Sequence, residues 1–217
     1  MKRLILAVTV LLMSSVTFAQ GTYHFQKKTL FEVLPIRSSD IVFLGNSITD
    51  GCEWSELFNN PKIKNRGISA DRTKWLLKRL DPIVKGKPKK LFLMIGINDL
   101  AADVAPETIV ANIKKLLNRF ATESPRTKIY VQSILPVNGV DIKSRFKKHR
   151  TQNEQVVATN KMLRTLCEGR KNVLYIDLFP ALADANGRLD KRYTNDGLHL
   201  MGAGYVAWKK AIEKYVK

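Results

Sequence analysis

Nucleophilic catalysis with an imidazole base has three candidates in this 217-residue chain: His24, His149 and His199. His24 falls in a leading amphipathic segment. His149 stands among Lys147, Lys148 and Arg150, and neighbouring positive charge disfavours the imidazolium that a base must become. His199 has Asp196 three residues before it, in Asp196-Gly197-Leu198-His199. Gly197 permits a tight turn, so the carboxylate can fold back on Nδ1, fix the tautomer and leave Nε2 facing outward. A turn with an incidental histidine would read the same way. The weight of the pair therefore comes from residues elsewhere.

Gly45-Asn46-Ser47-Ile48-Thr49 follows directly on the apolar run Ile41-Val42-Phe43-Leu44. Ser47 would sit between a strand end and a helix N-terminus, where backbone N–H groups face any negative charge that develops. Serine is also a common helix cap, and Thr49 departs from the Gly-x-Ser-x-Gly nucleophile elbow. Asn65-Arg66-Gly67 offers a backbone N–H with no side chain in its way. Gly96-Ile97-Asn98-Asp99 offers a carboxamide donor. Each alone reads as a turn. Together they supply what ester hydrolysis needs: a nucleophile, an oriented base and several donors for a tetrahedral oxyanion.

The elements that must position these residues alternate. Residues 23–34, closed by Pro35, carry apolar side chains at helical spacing, and 40–44 is a compact β-branched run of strand length. A helix over 54–58, a short strand at Ile63, a helix over 74–84 and a strand over 91–95 follow. Pro106 opens a helix with Ile109, Ile113, Leu116, Leu117 and Phe120 on one face. A strand over 128–133, a helix over 156–167, a strand over 173–176 and a closing helix over 205–216 complete the series. Five short buried strands alternating with amphipathic helices predict an α/β fold with a parallel sheet covered on both faces. In such sheets functional groups gather at the carboxyl ends of the strands. The Lys- and Arg-rich residues 138–151 have no clear period; a loop there could cover a site, and the plainer reading is a solvated connection.

In the order and spacing of its four blocks, across nearly the whole mature chain, this sequence resembles the SGNH hydrolases, also called the GDSL esterase/lipase family. The resemblance implies a flavodoxin-like three-layer sandwich with a five-stranded parallel sheet. It implies Ser47 as nucleophile, His199 as base and Asp196 as its orienter. It also implies Ser47 and Gly67 as backbone oxyanion donors, with Asn98 as a side-chain donor. No cofactor and no metal are expected. Two positions depart from the family pattern. Asn46 stands where an Asp usually precedes the nucleophile, and Ala70 stands where the second block often continues to another Gly. Small members without long insertions look like sugar O-acetylesterases, so the implied substrate is a small-molecule or glycan ester. A lysophospholipase or thioesterase of the same fold is the nearest alternative, and a non-catalytic basic glycan-binding module is a further one.

The N-terminus sets an expected compartment. Met1-Lys2-Arg3, an apolar run over 4–12 and Thr17-Phe18-Ala19 form a signal-peptide pattern, with residues 1–19 removed and a single domain over 20–217. The run is shorter than the ~20 residues of a membrane span, and no cysteine follows the cleavage point, so a stable membrane anchor is not expected. A periplasmic or secreted protein is the expectation. The formal charge of +18 attracts polyanions, but no zinc-finger, RNP-like or basic-zipper pattern points to nucleic acid. Cys52 and Cys167 read as small buried hydrophobes, with one disulfide between them the alternative in an oxidising compartment.

Overall fold

A computed structural model describes residues 21–142, 146–149 and 152–217. The expected leader therefore lies outside the described residues. Five parallel strands form one sheet: β1 Ile41–Gly45, β2 Ile63–Gly67, β3 Lys90–Met94, β4 Lys128–Gln132 and β5 Val173–Ile176. Their order is β2-β1-β3-β4-β5, all parallel. β1 and β3 are buried at every position, which is why both read as continuous apolar runs rather than alternating ones.

Successive strand residues point to opposite faces, and the register turns that rule into two packed layers. Phe43 pairs with Phe92 and Phe92 with Tyr130 across the ladder. Their rings stack at 4.8 and 4.6 Å. Trp54, on α3 (Trp54–Leu57), lies 4.3 Å from Phe43 and 4.8 Å from Trp208, on α10 (Gly202–Val216). α3 and α10 therefore cover this face. α4 (Thr73–Leu77), α5 (Asp81–Gly86) and α8 (Asn153–Cys167) pack around α7 (Pro106–Glu123). Right-handed crossovers running from β2 through β5 put these four helices on the opposite face. The apolar stripe of α7 is buried as its spacing predicts.

The helix expected over 74–84 is instead two, α4 and α5. Pro82 has no N–H to give to the carbonyl of Lys78, so the chain breaks and restarts with Pro in the first turn of α5. Between the two helices, Arg79 turns into the interior. Its guanidinium binds Asp71 at 2.7 Å, the Arg66 carbonyl at 2.9 Å and the Gly45 carbonyl at 3.0 Å. One buried side chain thus ties the ends of β1 and β2 to the loop that follows β2.

A helix over residues 21–33, α1 here, agrees with the leading helix expected from spacing. Trp54 and Trp208 are core residues, whereas Trp75 is 38% exposed beside Arg72, with the guanidinium carbon 4.8 Å from its ring. Cys52 and Cys167 are buried and free.

Candidate active site

The chain runs from β1 outward to β2 and then crosses back to β3, so the connections leaving β1 and β3 diverge and open a crevice at their carboxyl ends. Ser47 leaves β1 as the first residue of the four-residue helix α2 (Ser47–Asp50). Asn46 caps that helix, its Oδ1 accepting from the Ile48 N–H at 3.1 Å. A carboxamide thus performs the capping that an Asp would, without the charge. Asn98 leaves β3 on α6 (Ile97–Leu100).

His199 arrives on the loop before α10. Its Nε2 lies 2.9 Å from Ser47 Oγ, and its Nδ1 lies 2.7 Å from Asp196 Oδ2. The other carboxylate oxygen of Asp196 accepts from the N–H groups of Leu198 and His199 at 2.9 and 2.8 Å. Gly197 at φ +79° makes this turn possible, and its N–H donates to Thr194 Oγ1 at 2.9 Å. Burial works against charge on Asp196. The hydrogen bonds from the His199 side chain and from the two backbone N–H groups outweigh it and hold the carboxyl below its ordinary range. The carboxylate is therefore ionised, and it keeps the Nδ1 proton in place and the Nε2 lone pair toward Ser47.

A cavity of about 700 Å³ opens in front of Ser47 and His199; Ala70, Asn98, Phe146 and His149 are among its lining residues. The N–H groups of Ser47 and Ala70 have no acceptor among the described residues. Asn98 Nδ2 gives one proton to the Asp71 carbonyl at 3.1 Å and keeps a second. Three donors thus border the cavity beside the Ser47 hydroxyl.

Gly67, expected as a donor, does not belong to that set. Its N–H already donates to Asn65 Oδ1 at 2.8 Å, and it does not line the cavity. Its glycine identity has a different cause: a Cβ there would lie 2.2 Å from the Asp50 backbone nitrogen, inside α2. The free N–H of this loop is that of Ala70, three residues on, held at φ +64°. The positive φ is a conformation that favours glycine, and an alanine at such a position is not legible from sequence.

The described residues of the connection over 138–151 do reach the site. Phe146 packs edge-on against His199 and His149, with centroids 5.1 and 5.9 Å away. His149 Nε2 lies 3.0 Å from Asn98 Oδ1. His24, by contrast, lies 3.3 Å from Asp71. Asp50 and Arg72 do not pair with each other. Asp50 accepts from the Tyr23 hydroxyl at 2.7 Å and from Ser69 at 3.1 and 3.2 Å, while Arg72 lines the cavity. Asp177 is a loop carboxylate, 2.9 Å from Arg164 and capping the Phe179 N–H at 3.1 Å.

A profile of the GDSL-like lipase/acylhydrolase family matches residues 43–207. The chain belongs to that family. As a GDSL-like acylhydrolase it is a carboxylic ester hydrolase, which sets aside the glycan-binding module weighed from its charge. Platelet-activating factor acetylhydrolase IB subunit alpha2 of Homo sapiens is 25% identical over 186 residues, covering 83% of this chain and 77% of that protein. A solved chain from Streptococcus pneumonia, provisionally named for platelet activating factor, is 32% identical with a TM-score of 0.85, covering 97% of this chain and 99% of its own. The acetylxylan esterase Axe2 of Geobacillus stearothermophilus is 17% identical with a TM-score of 0.58, covering 83% of this chain and 95% of its own. That last likeness bears on the fold alone. The five-stranded sheet and its helices are those of the GDSL-like acylhydrolases.

Proposed function

We propose that this GDSL-like acylhydrolase is an exported serine esterase that removes small acyl groups, acetyl foremost, from carbohydrate. The observation that carries the mechanism is the unbroken chain from Ser47 Oγ through His199 to Asp196, at 2.9 and 2.7 Å. Ser47 Oγ attacks the ester carbonyl while His199 Nε2 takes its proton. The oxyanion receives hydrogen bonds from the N–H groups of Ser47 and Ala70 and from the free Nδ2 proton of Asn98. Collapse breaks the bond to the alcohol, which leaves with the proton from Nε2. Water then attacks the acyl-Ser47, gives a proton to His199, and the acid departs as Ser47 regains its hydrogen. No step needs a cofactor.

Acetyl is favoured by the curated relatives, which are named platelet-activating factor acetylhydrolases. Carbohydrate is favoured by the hydrogen-bonding groups among the cavity's lining residues, Tyr23, Ser69, Arg72 and Lys148. A second reading, an acetyl ester of the platelet-activating-factor type, is favoured by the relatives of that name. The lysophospholipase and thioesterase readings have no comparable support. Export rests on the leader pattern over 1–19, and the expected mature protein begins at Gln20.

A fluorophosphonate probe should label the folded protein and fail to label Ser47→Ala. Acetate release should then be compared across acetylated sugars, platelet-activating factor and nitrophenyl esters of rising chain length. Labelling that survives Ser47→Ala refutes the nucleophile. Faster cleavage of long acyl chains than of acetyl refutes the substrate reading.

A further inference from the structure

The orientation of the Asn98 carboxamide can be read without ambiguity. Which end of a carboxamide is oxygen is decided by its hydrogen-bond partners. On one side Asn98 faces the Asp71 carbonyl at 3.1 Å, which can only accept, so the nitrogen stands there. Oδ1 therefore faces His149 Nε2 at 3.0 Å, and that nitrogen must carry the proton. Burial, with the neighbouring His199 adding to it, pushes the His149 imidazole down from 6.5 to about 4, so it is neutral at working pH and holds a single N–H. Its Nδ1 is buried without a partner among the described residues. The one proton this ring owns is thus committed to Asn98.

We propose that His149 is a positioning residue of the oxyanion hole. Building on the reading of Asn98 as an oxyanion donor, it locks the carboxamide so that the second Nδ2 proton faces the reacting carbonyl. Two anchors are needed because an amide held at one end rotates about its last torsion, which is soft. The Asp71 carbonyl holds the nitrogen end, and His149 holds the oxygen end. Accepting at Oδ1 also polarises the amide and strengthens its remaining N–H as a donor. Phe146, edge-on to His149 at 5.9 Å and to His199 at 5.1 Å, packs against both imidazoles and keeps this arrangement beside the base.

The test uses His149→Phe, which keeps a ring and removes the donor, and His149→Gln, which returns an N–H at similar reach. Nitrophenyl acetate turnover is measured for each in the wild-type and Asn98→Ala backgrounds, with thermal melts to confirm folding. One lost hydrogen bond to an oriented group is worth roughly 10-fold, so His149→Phe should lower kcat by about that factor with KM changed less than about 2-fold. His149→Gln should recover most of the loss. In Asn98→Ala, His149→Phe should cost less than about 2-fold, since nothing remains to position. A kcat unchanged in His149→Phe, a Gln variant as slow as Phe, or a full additional loss in Asn98→Ala would each overturn the proposal while leaving the esterase reading intact. A wild type with neither turnover nor fluorophosphonate labelling would sink both. If His149→Phe does not fold, nitrogen NMR of the wild type decides: the Nε2–H tautomer supports the assignment and the Nδ1–H tautomer overturns it.

Discussion

Replacing Asp196 by Asn keeps almost every contact of that side chain and inverts one. Oδ1 can still accept from the N–H groups of Leu198 and His199, at 2.9 and 2.8 Å in the present structure. Those two donors forbid the flipped amide, so the new NH₂ must take the place of Oδ2, 2.7 Å from His199 Nδ1. An amide nitrogen there can only donate. Nδ1 becomes the acceptor, the ring proton moves to Nε2, and Nε2 faces Ser47 Oγ at 2.9 Å as a donor that cannot take the hydroxyl proton. The same inversion in a serine protease costs about 10⁴ in turnover, or about 5.4 kcal/mol. Asp196→Asn should therefore lose on the order of 10⁴ in kcat while melting close to wild type. Asp196→Ala should lose comparable activity and also roughly 1–3 kcal/mol of stability, because two backbone donors lose their acceptor. Steady-state nitrophenyl acetate hydrolysis and thermal melts of both variants make the comparison. An Asn variant within tenfold of wild type would refute the tautomer argument.

Removing the guanidinium in Arg79→Met leaves Asp71 buried without its ion pair and should cost about 3–5 kcal/mol, lowering Tm by roughly 6–20 °C in a domain of this size; a shift under a few degrees would contradict it. Gly67→Ala drives a methyl into the Asp50 backbone at 2.2 Å and should destabilise by roughly 1–3 kcal/mol or more while displacing Ser47. Ala70→Gly, at φ +64°, should leave stability within about 1 kcal/mol and retain activity. Equal behaviour of the two variants would count against the division of roles between these positions. His149 should make folding weaker in acid. The unfolded ring binds a proton below its ordinary 6.5 and the folded ring only near 4, so stability falls as pH drops through that window. Urea titrations across it should show the slope, and His149→Phe should flatten it; an unchanged slope would mean other groups set it.

The chemistry-bearing residues were readable because their types are scarce. With three histidines and one Asp three residues ahead of one of them, the chain leaves little choice of base, and the turn at Gly197 is local enough to follow from spacing. The strands were readable for a related reason: a strand buried on both faces reads as a near-continuous apolar run, as Ile41–Leu44 of β1 and Leu91–Met94 of β3 do. The break in the helix expected over 74–84 was written in Pro82, but the apolar period on either side of it read as continuous. Tertiary structure alone decided which N–H points into the cavity. Gly67 offers freedom and Ala70 does not, yet the paired strand end spends the Gly67 amide on Asn65 while the Ala70 amide is left without an acceptor among the described residues. It likewise decided the partner of Asn98. His149 is 51 residues away, and the lysines and arginine around it in the chain say nothing about the carboxamide it meets in space. Composition and periodicity report what a residue is and which face it takes; a donor's acceptor is set by which loops the sheet brings together, and that is a property of the folded topology.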